Sequence, residues 1–184
     1  MNLRYQFLKA SLPLTKALGK VGVHRRIKDN EYYAIDRDLY AGCILLSRKR
    51  YELSNLFIPG KYTHAAIFNG HKIVEAVGEG IREVSLAYFC YDKDYIAIME
   101  PNDISNTEIK DMCVDMQNYI GLKYDYYFDS KNKSYYCSEL VYQLLTKNVA
   151  SFREFEMRES LGVKTVTPDD FYKAKKYFNL IGEF

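Results

Sequence analysis

Hydrophobic positions in this chain change their period from one stretch to the next, and the changes mark out its elements. Ala41-Gly42-Cys43-Ile44-Leu45-Leu46-Ser47 is a short, almost continuous apolar run, the pattern of a buried strand. Two β-rich stretches, Tyr62–Phe68 and His71–Val77, flank Asn69-Gly70, the strongest short-range signal for a hairpin. Gly78-Glu79-Gly80 marks a second turn, Ile81–Val84 and Tyr95–Glu100 two further strands, and Pro101 a stop. The period then becomes helical. Ser105-Asn106-Thr107-Glu108 is a capping box, and Ile109, Met112, Cys113, Met116 and Ile120 form one stripe ended by Gly121, which puts Cys113 in the core. Leu140, Val141, Leu144 and Leu145 predict a helix that starts at or near Cys137 and runs to the neighbourhood of Asn148. Thr167-Pro168-Asp169-Asp170 is another helix start, with Thr as cap and Pro in the first position, and Phe178–Ile181 reads as a last strand. Arg48 to Pro59 reads as a loop or short helix. Residues 150–166 are mixed and charged, suited to a helix or a flap.

The first part of the chain follows a different pattern. Residues 2–19 interleave Leu3, Phe7, Leu8, Leu12, Leu14 and Leu18 with basic side chains, predicting a basic amphipathic helix kinked near Pro13. Residues 20–38 are mostly polar and read as a connector. Residues 1–28 hold seven Lys and Arg and no acid, while the rest of the chain carries 19 basic against 24 acidic residues. A net charge of +2 is too small to point to nucleic acid, but a basic amphipathic segment suits peripheral contact with an anionic membrane surface. The blander role for such a helix is to pack on the domain with a solvated basic face. No apolar run approaches the ~20 residues of a membrane span. The N-terminal stretch, interrupted by Lys9, Pro13 and Lys16, lacks the apolar core of a secretory signal.

At 184 residues the chain fits one domain, and 48% hydrophobic residues suffice for a core. Cys43, Cys90, Cys113 and Cys137 are widely spaced, with no CxxC and no Cys/His pair at metal spacing. No metal or other cofactor is expected, and a reduced cytoplasmic protein is the simpler reading.

One of these cysteines carries chemistry. Cys137 falls at a helix start, where unsatisfied N–H groups and the dipole favour the thiolate, the nucleophilic form. A thiolate needs a base, and the base needs a group to orient it. If Asn69 and Gly70 are the two loop residues of the hairpin, Phe68 faces His71, Ala66 faces Ile73 and His64 faces Glu75. Directly opposed side chains share a sheet face, so a carboxylate is placed to orient an imidazole. Each residue alone has an ordinary role: a buried cysteine packs, a strand histidine is a hydrogen-bonded structural group, and Glu75 pairs with a lysine or faces solvent. The combination is what points to acyl transfer. His71 sits beside the turn and is expected to be exposed; His24 has no obvious partner.

Gly42 to Leu46, Thr63-His64-Ala65-Ala66-Ile67, Val74-Glu75-Ala76, Gly121-Leu122-Lys123-Tyr124-Asp125 and Tyr136-Cys137-Ser138-Glu139-Leu140-Val141 occur in one order. Together they resemble the circularly permuted branch of the NlpC-type, papain-like cysteine peptidases, the YiiX/YaeF-like amidases, over about residues 38–175. In this branch the histidine strand precedes the cysteine helix, as here. The resemblance implies a papain-like α+β fold, a small, largely antiparallel sheet packed against helices. It implies residues 1–37 as an N-terminal extension and connector and 38–184 as the catalytic domain. It maps the family's Cys, His and carboxylate onto Cys137, His64 and Glu75. The tyrosine before its nucleophile maps onto Tyr124, whose hydroxyl would act near the thiolate or oxyanion or would simply pack. Where the family commonly has Gly-Asp before its first strand, this chain has Gly42-Cys43, which removes a structural hydrogen bond and no member of the triad.

The expected activity is hydrolysis of a peptide-like or lipid-linked amide through a Cys137 acyl-enzyme. Two rivals use the same fold: a membrane-surface lipid acyltransferase or thioesterase, motivated by the basic N-terminus, and a binding domain without turnover.

Overall fold

Apolar side chains alternate across the strands so that both faces of one sheet are covered. The computed structural model describes residues 26–50, 55, 58, 60–126, 133–160 and 163–184. In chain order the elements are α1 (Asp29–Asp38), β1 (Ile44–Arg48), β2 (His64–Phe68), β3 (Ile73–Val77), β4 (Gly80–Val84), α2 (Leu86–Cys90), β5 (Tyr95–Pro101) and α3 (Asn106–Met116). The short strands β6 (Lys123–Tyr124) and β7 (Ser134–Tyr135) lead into α4 (Cys137–Asn148). A single 3-10 turn (Ala150–Phe152), the hairpin β8 (Arg158–Ser160) and β9 (Val163–Thr165), α5 (Pro168–Lys173) and β10 (Phe178–Glu183) follow.

The main sheet has six strands in the order β10-β5-β1-β2-β3-β4, and every neighbouring pair is antiparallel. Ile44, Leu46, Ala65, Ile67, Val74 and Ala76 face α3, α4 and α5. Leu45, Ala66, Ile73, Ile96 and Ile98 face α1 and α2, through Ile35, Leu86, Phe89 and Cys90. Burial on both faces is why β1 has no polar alternation. Leu140, Val141, Leu144 and Leu145 of α4 are all fully buried. At about 1.5–3 kcal/mol for each such side chain, this ridge holds the helix that begins with Cys137 against the sheet. The architecture is the papain-like mixture of helices and antiparallel sheet that the motifs imply. No helix among the described residues is long and apolar enough to cross a membrane.

Four sequence expectations need correction. The loop between β2 and β3 contains four residues, Asn69 to Lys72, not two: the register is Phe68↔Ile73, Ile67↔Val74 and Ala66↔Glu75. Asn69 is the cause. Its side-chain oxygen accepts from the His71 and Lys72 N–H groups at 2.9 and 2.8 Å, and its own N–H donates to the Lys72 carbonyl at 3.0 Å. Second, the supposed connector contains α1. Its one fully buried residue, Ile35, gives too little apolar periodicity to show in sequence. Third, α3 ends at Met116, and Ile120, in the turn that follows, is 36% exposed rather than part of the core stripe. Cys113 packs half-buried against the core. Fourth, of the helix and the flap to which residues 150–166 are suited, the helix is not formed: the described residues there hold the 3-10 turn and the strands β8 and β9. The expected amphipathic helix at 2–19, His24 and most of the Arg48–Pro59 segment lie outside the described residues.

The Thr167-Pro168-Asp169-Asp170 start forms as read, and it also closes the domain. Thr167 N–H donates to the Asp170 carboxylate at 2.7 Å, and the buried Asp169 accepts from the Lys61 and Tyr62 N–H groups at 2.7 and 2.9 Å. This places α5 against the segment that enters β2. A side chain at Gly60 would meet the Asp169 carboxylate carbon at 2.3 Å, so the position accepts only glycine.

Candidate active site

Cys137 is the first residue of α4, with Tyr136 as N-cap. A tyrosine cannot cap its own helix as a serine does, and no side chain of Tyr136 caps this one. Its hydroxyl instead accepts from the Val166 N–H at 3.1 Å, while Ser138 Oγ donates to the Val166 carbonyl at 2.8 Å. Two hydrogen bonds to one residue thus pin the start of α4 to the strand end after β9. Glu139 reaches back to the Tyr136 N–H at 3.4 Å.

His64 is the first residue of β2, and Glu75 lies in β3. Because the true register differs from the two-residue-loop register by two positions, the side-chain face is unchanged; a slip of one would have reversed it. The two are diagonal neighbours, a separation that long side chains bridge. His64 Nε2 lies 2.9 Å from Glu75 Oε2. With Nε2 taken, Nδ1 is the ring nitrogen available for the hydrogen bond with Cys137. That contact forms just past the end of the β2–β3 ladder. Pairing stops at Ala66↔Glu75, and the backbone N–H groups of Ala65 and Ser138 are near enough to the Cys137 sulfur to favour its thiolate. The Phe89 ring of α2 lies 6.1 Å from the imidazole and backs it.

The electrostatics follow from this packing. Burial disfavours an imidazolium, but hydrogen bonding to Cys137 and Glu75 and the charges of both outweigh it, and His64 is pushed up to about 9. Burial pushes the Glu75 carboxyl up, yet the hydrogen bond and charge of His64, then Arg82 and Lys93, bring it down to about 2. Burial also opposes ionisation of Cys137. The hydrogen bond and charge of His64, with the Ala65 and Ser138 backbone, carry its thiol below the ordinary value. Cys43 and Cys90 move the other way, to about 11 and about 12, because burial outweighs the Tyr40 hydrogen bonds at Cys43 and the Lys93 charge at Cys90. The arrangement therefore favours a thiolate–imidazolium pair at Cys137 alone.

Tyr124, in β6, stands opposite Tyr135, and its ring lies tilted against that of Tyr126 with centroids 4.9 Å apart; the Tyr126 hydroxyl donates to the Gly78 carbonyl at 2.8 Å. The segment is docked on β4: the Ile81 N–H donates to the Leu122 carbonyl at 2.9 Å, and a side chain at Gly80 would meet that oxygen at 2.7 Å. Tyr124 comes close enough to Cys137 for the sulfur's charge, after burial, to hold its hydroxyl in the protonated form well above 10.0. The fold thus brings Cys137, His64, Glu75 and Tyr124 into one site. His71 is exposed in the loop and takes no part.

Arg82 joins them without having been singled out by the motifs. Its Nε and Nη2 donate to Glu75 Oε1 at 3.0 and 2.8 Å. The signal for it is in the second hairpin: with Gly78 and Glu79 as the turn, pairing runs Val77↔Gly80, Ala76↔Ile81 and Glu75↔Arg82.

Residues 38–180 match the profile of a family described as permuted papain-like amidase enzymes, the YaeF/YiiX or C92 family. The chain belongs to this family. Among solved structures, that of metalloprotein yiiX from Escherichia coli O157:H7 matches with a TM-score of 0.63 and 17% identity, over 80% of this chain and 98% of that one. At that identity the likeness is one of fold. No curated protein matches the chain. Among the described residues, no three His, Cys, Asp or Glu side chains come together as a metal site would require. In this permuted papain-like amidase, His64 and Glu75 are engaged with each other, with Cys137 and with Arg82.

Proposed function

We propose that this member of the amidase family is a cysteine hydrolase that cleaves an amide through a Cys137 acyl-enzyme, with His64 as acid and base and Glu75 as its orienting group. The observation that carries the reading is the set of groups brought together at the start of α4: a buried sulfur whose thiol is lowered by the imidazole of His64, and that imidazole's Nε2 2.9 Å from a buried carboxylate. The thiolate attacks the substrate carbonyl carbon, and the C=O electrons move to oxygen. Backbone N–H groups in the first turn of α4 and the protonated Tyr124 hydroxyl are the donors for that oxyanion. When the tetrahedral intermediate collapses, the C–N bond breaks and the imidazolium of His64 gives its proton to the leaving amine. Neutral His64 then takes a proton from water, which attacks the thioester and returns Cys137 as thiolate and His64 as imidazolium. Membership of the family supports an amide substrate; peptide-like and lipid-linked amides are the classes in view.

The test is the pH dependence of thiol alkylation, followed cysteine by cysteine in wild type and His64→Ala. Cys137 should react well below the ~8.5 of a free thiol, and lose this in the variant. Ordinary thiol behaviour of Cys137 in both proteins would sink the triad.

A further inference from the structure

The Glu75 carboxylate divides its two oxygens. Oε2 is held by His64 at 2.9 Å, and Oε1 receives both donors of Arg82 at 3.0 and 2.8 Å. A carboxylate bonded only through Oε2 could rotate about its terminal torsion, which is broad and unconstrained by staggering. A guanidinium fork on the other oxygen removes that freedom. Arg82 is itself fixed twice. It stands directly opposite Glu75 in the β3–β4 register, and its guanidinium lies over the Tyr88 ring at 5.3 Å. Tyr88 is followed in α2 by Phe89, the ring that backs His64. One five-residue helix therefore places a ring behind the imidazole and another behind the guanidinium, at the two ends of the same hydrogen-bond chain.

We propose that Arg82, seated on Tyr88, is a positioning residue of this site: it fixes the Glu75 carboxylate in the orientation that holds His64 toward Cys137. The proposal rests on the Cys137–His64–Glu75 reading and extends the site to a residue that touches no substrate. Other charged groups act on the same pair. Lys93, after α2, adds a positive charge near Glu75, Glu79 in the β3–β4 turn adds a negative one near Arg82, and Lys93 itself is paired with Asp92 at 2.6 Å. None of these supplies a two-donor fork. Lysine at position 82 would keep the charge and lose the fork.

The direction of the effect of removing Arg82 is set by charge. Without it Glu75 protonates at higher pH and its carboxylate is free to turn away from His64, so the imidazolium that lowers the Cys137 thiol is held less well and the acid limb of thiolate formation moves upward. The experiment measures Cys137 alkylation by iodoacetamide against pH, with the thermal midpoint, in the full chain of wild type, Arg82→Ala and Arg82→Lys. In Arg82→Ala the acid limb should rise by about one pH unit and the rate at pH 6 fall roughly tenfold, the scale of a lost charge-assisted hydrogen bond. Arg82→Lys, which keeps the charge and loses the fork, should recover only the smaller part of the limb. A limb and rate unchanged in Arg82→Ala, with only the thermal midpoint lowered, would overturn the proposal by showing a merely structural ion pair. If wild-type Cys137 has no acid-shifted limb at all, the triad reading falls first and this one with it. Should Arg82→Ala not fold, Tyr88→Ala leaves both Glu75 donors in place. It should move the limb in the same direction by less, and an unmoved limb there again overturns the proposal.

Discussion

Two helices of this protein share a glutamate that reaches back to the N-cap N–H but differ in the N-cap residue itself. At α3, Ser105 Oγ accepts from the Glu108 N–H at 3.3 Å and the Glu108 carboxylate accepts from the Ser105 N–H at 2.9 Å. Glu108 also accepts from the Ala150 N–H at 2.9 Å, so the capping group doubles as a tie to the end of α4. At α4 the cap is a tyrosine whose hydroxyl has left the helix for Val166. The first-turn donors of α3 are spent on stability, whereas those of α4 face a sulfur and the space beside it. The cysteines differ accordingly. Cys113, inside α3, is raised by burial, and Cys137, at the head of α4, is lowered by His64 and the Ala65 and Ser138 N–H groups against its burial. A helix start becomes a reactive site when its cap is diverted and a cation stands opposite; a helix alone does neither.

That contrast breaks most sharply at the cysteines. Cys137→Ala should lower amide turnover on the order of 10³-fold or more, as loss of a nucleophile does, while Cys113→Ala leaves steady-state turnover within about twofold, since it touches no reacting group. A next, smaller effect is expected at the orienting group. Glu75→Gln should reduce kcat by roughly 100-fold and bring the His64 titration, followed by NMR, down from about 9 toward the ordinary 6.5. If His64 still titrates near 9 in that variant, Glu75 is not its partner in solution.

The caps themselves sharpen the comparison further. Tyr136→Phe leaves the buried Val166 N–H without its acceptor, at a cost of about 1–3 kcal/mol, and should slow Cys137 alkylation because the head of α4 is no longer pinned. Ser105→Ala at α3 should cost about 1 kcal/mol of unfolding free energy with alkylation unchanged. Equal effects of the two variants on alkylation would erase the distinction between the two helix starts.

The mildest test is pH. His64 is raised from 6.5 to about 9, so its contribution to stability is complete below 6.5 and is lost as pH rises through about 9. Glu75 is lowered from 4.5 to about 2, so its contribution is complete above 4.5 and is lost as pH falls through about 2. Chemical denaturation should show the two groups jointly contributing most between 4.5 and 6.5. Above about 9 the two functional readouts should separate: amide turnover falls because His64 has no proton for the leaving amine, while Cys137 alkylation does not. A parallel decline of both would point to loss of the folded site instead.

Much of the site was legible in sequence because its signals are local. Helix periodicity after Tyr136 placed Cys137 at a helix start and ended that helix at Asn148. The two β-rich runs around Asn69-Gly70 put His64 and Glu75 on one face. The loop length was misread by two residues, and the conclusion survived only because two is the period of a strand. Arg82 was encoded in the same way, across Gly78-Glu79, and needed only the same pairing arithmetic. The α1 helix was not legible, since Ile35 is its one fully buried residue. Neither was the β8–β9 hairpin, whose three-residue strands carry no measurable alternation.

By itself, then, the sequence determined which residues begin and end the elements, which side chains share a face, and which cysteine heads a helix. These depend on neighbours within a turn or a hairpin. Only the tertiary structure decided that α4 meets β2 just past the last β2–β3 pair, where the Ala65 N–H and the His64 ring both reach the sulfur. It alone decided that Val166, 28 residues beyond Ser138, holds that helix start in place. Proton affinity in the site depends on burial and on charges brought together from β2, β3, β4 and α4. Those distances exist only once the sheet is assembled and both its faces are covered.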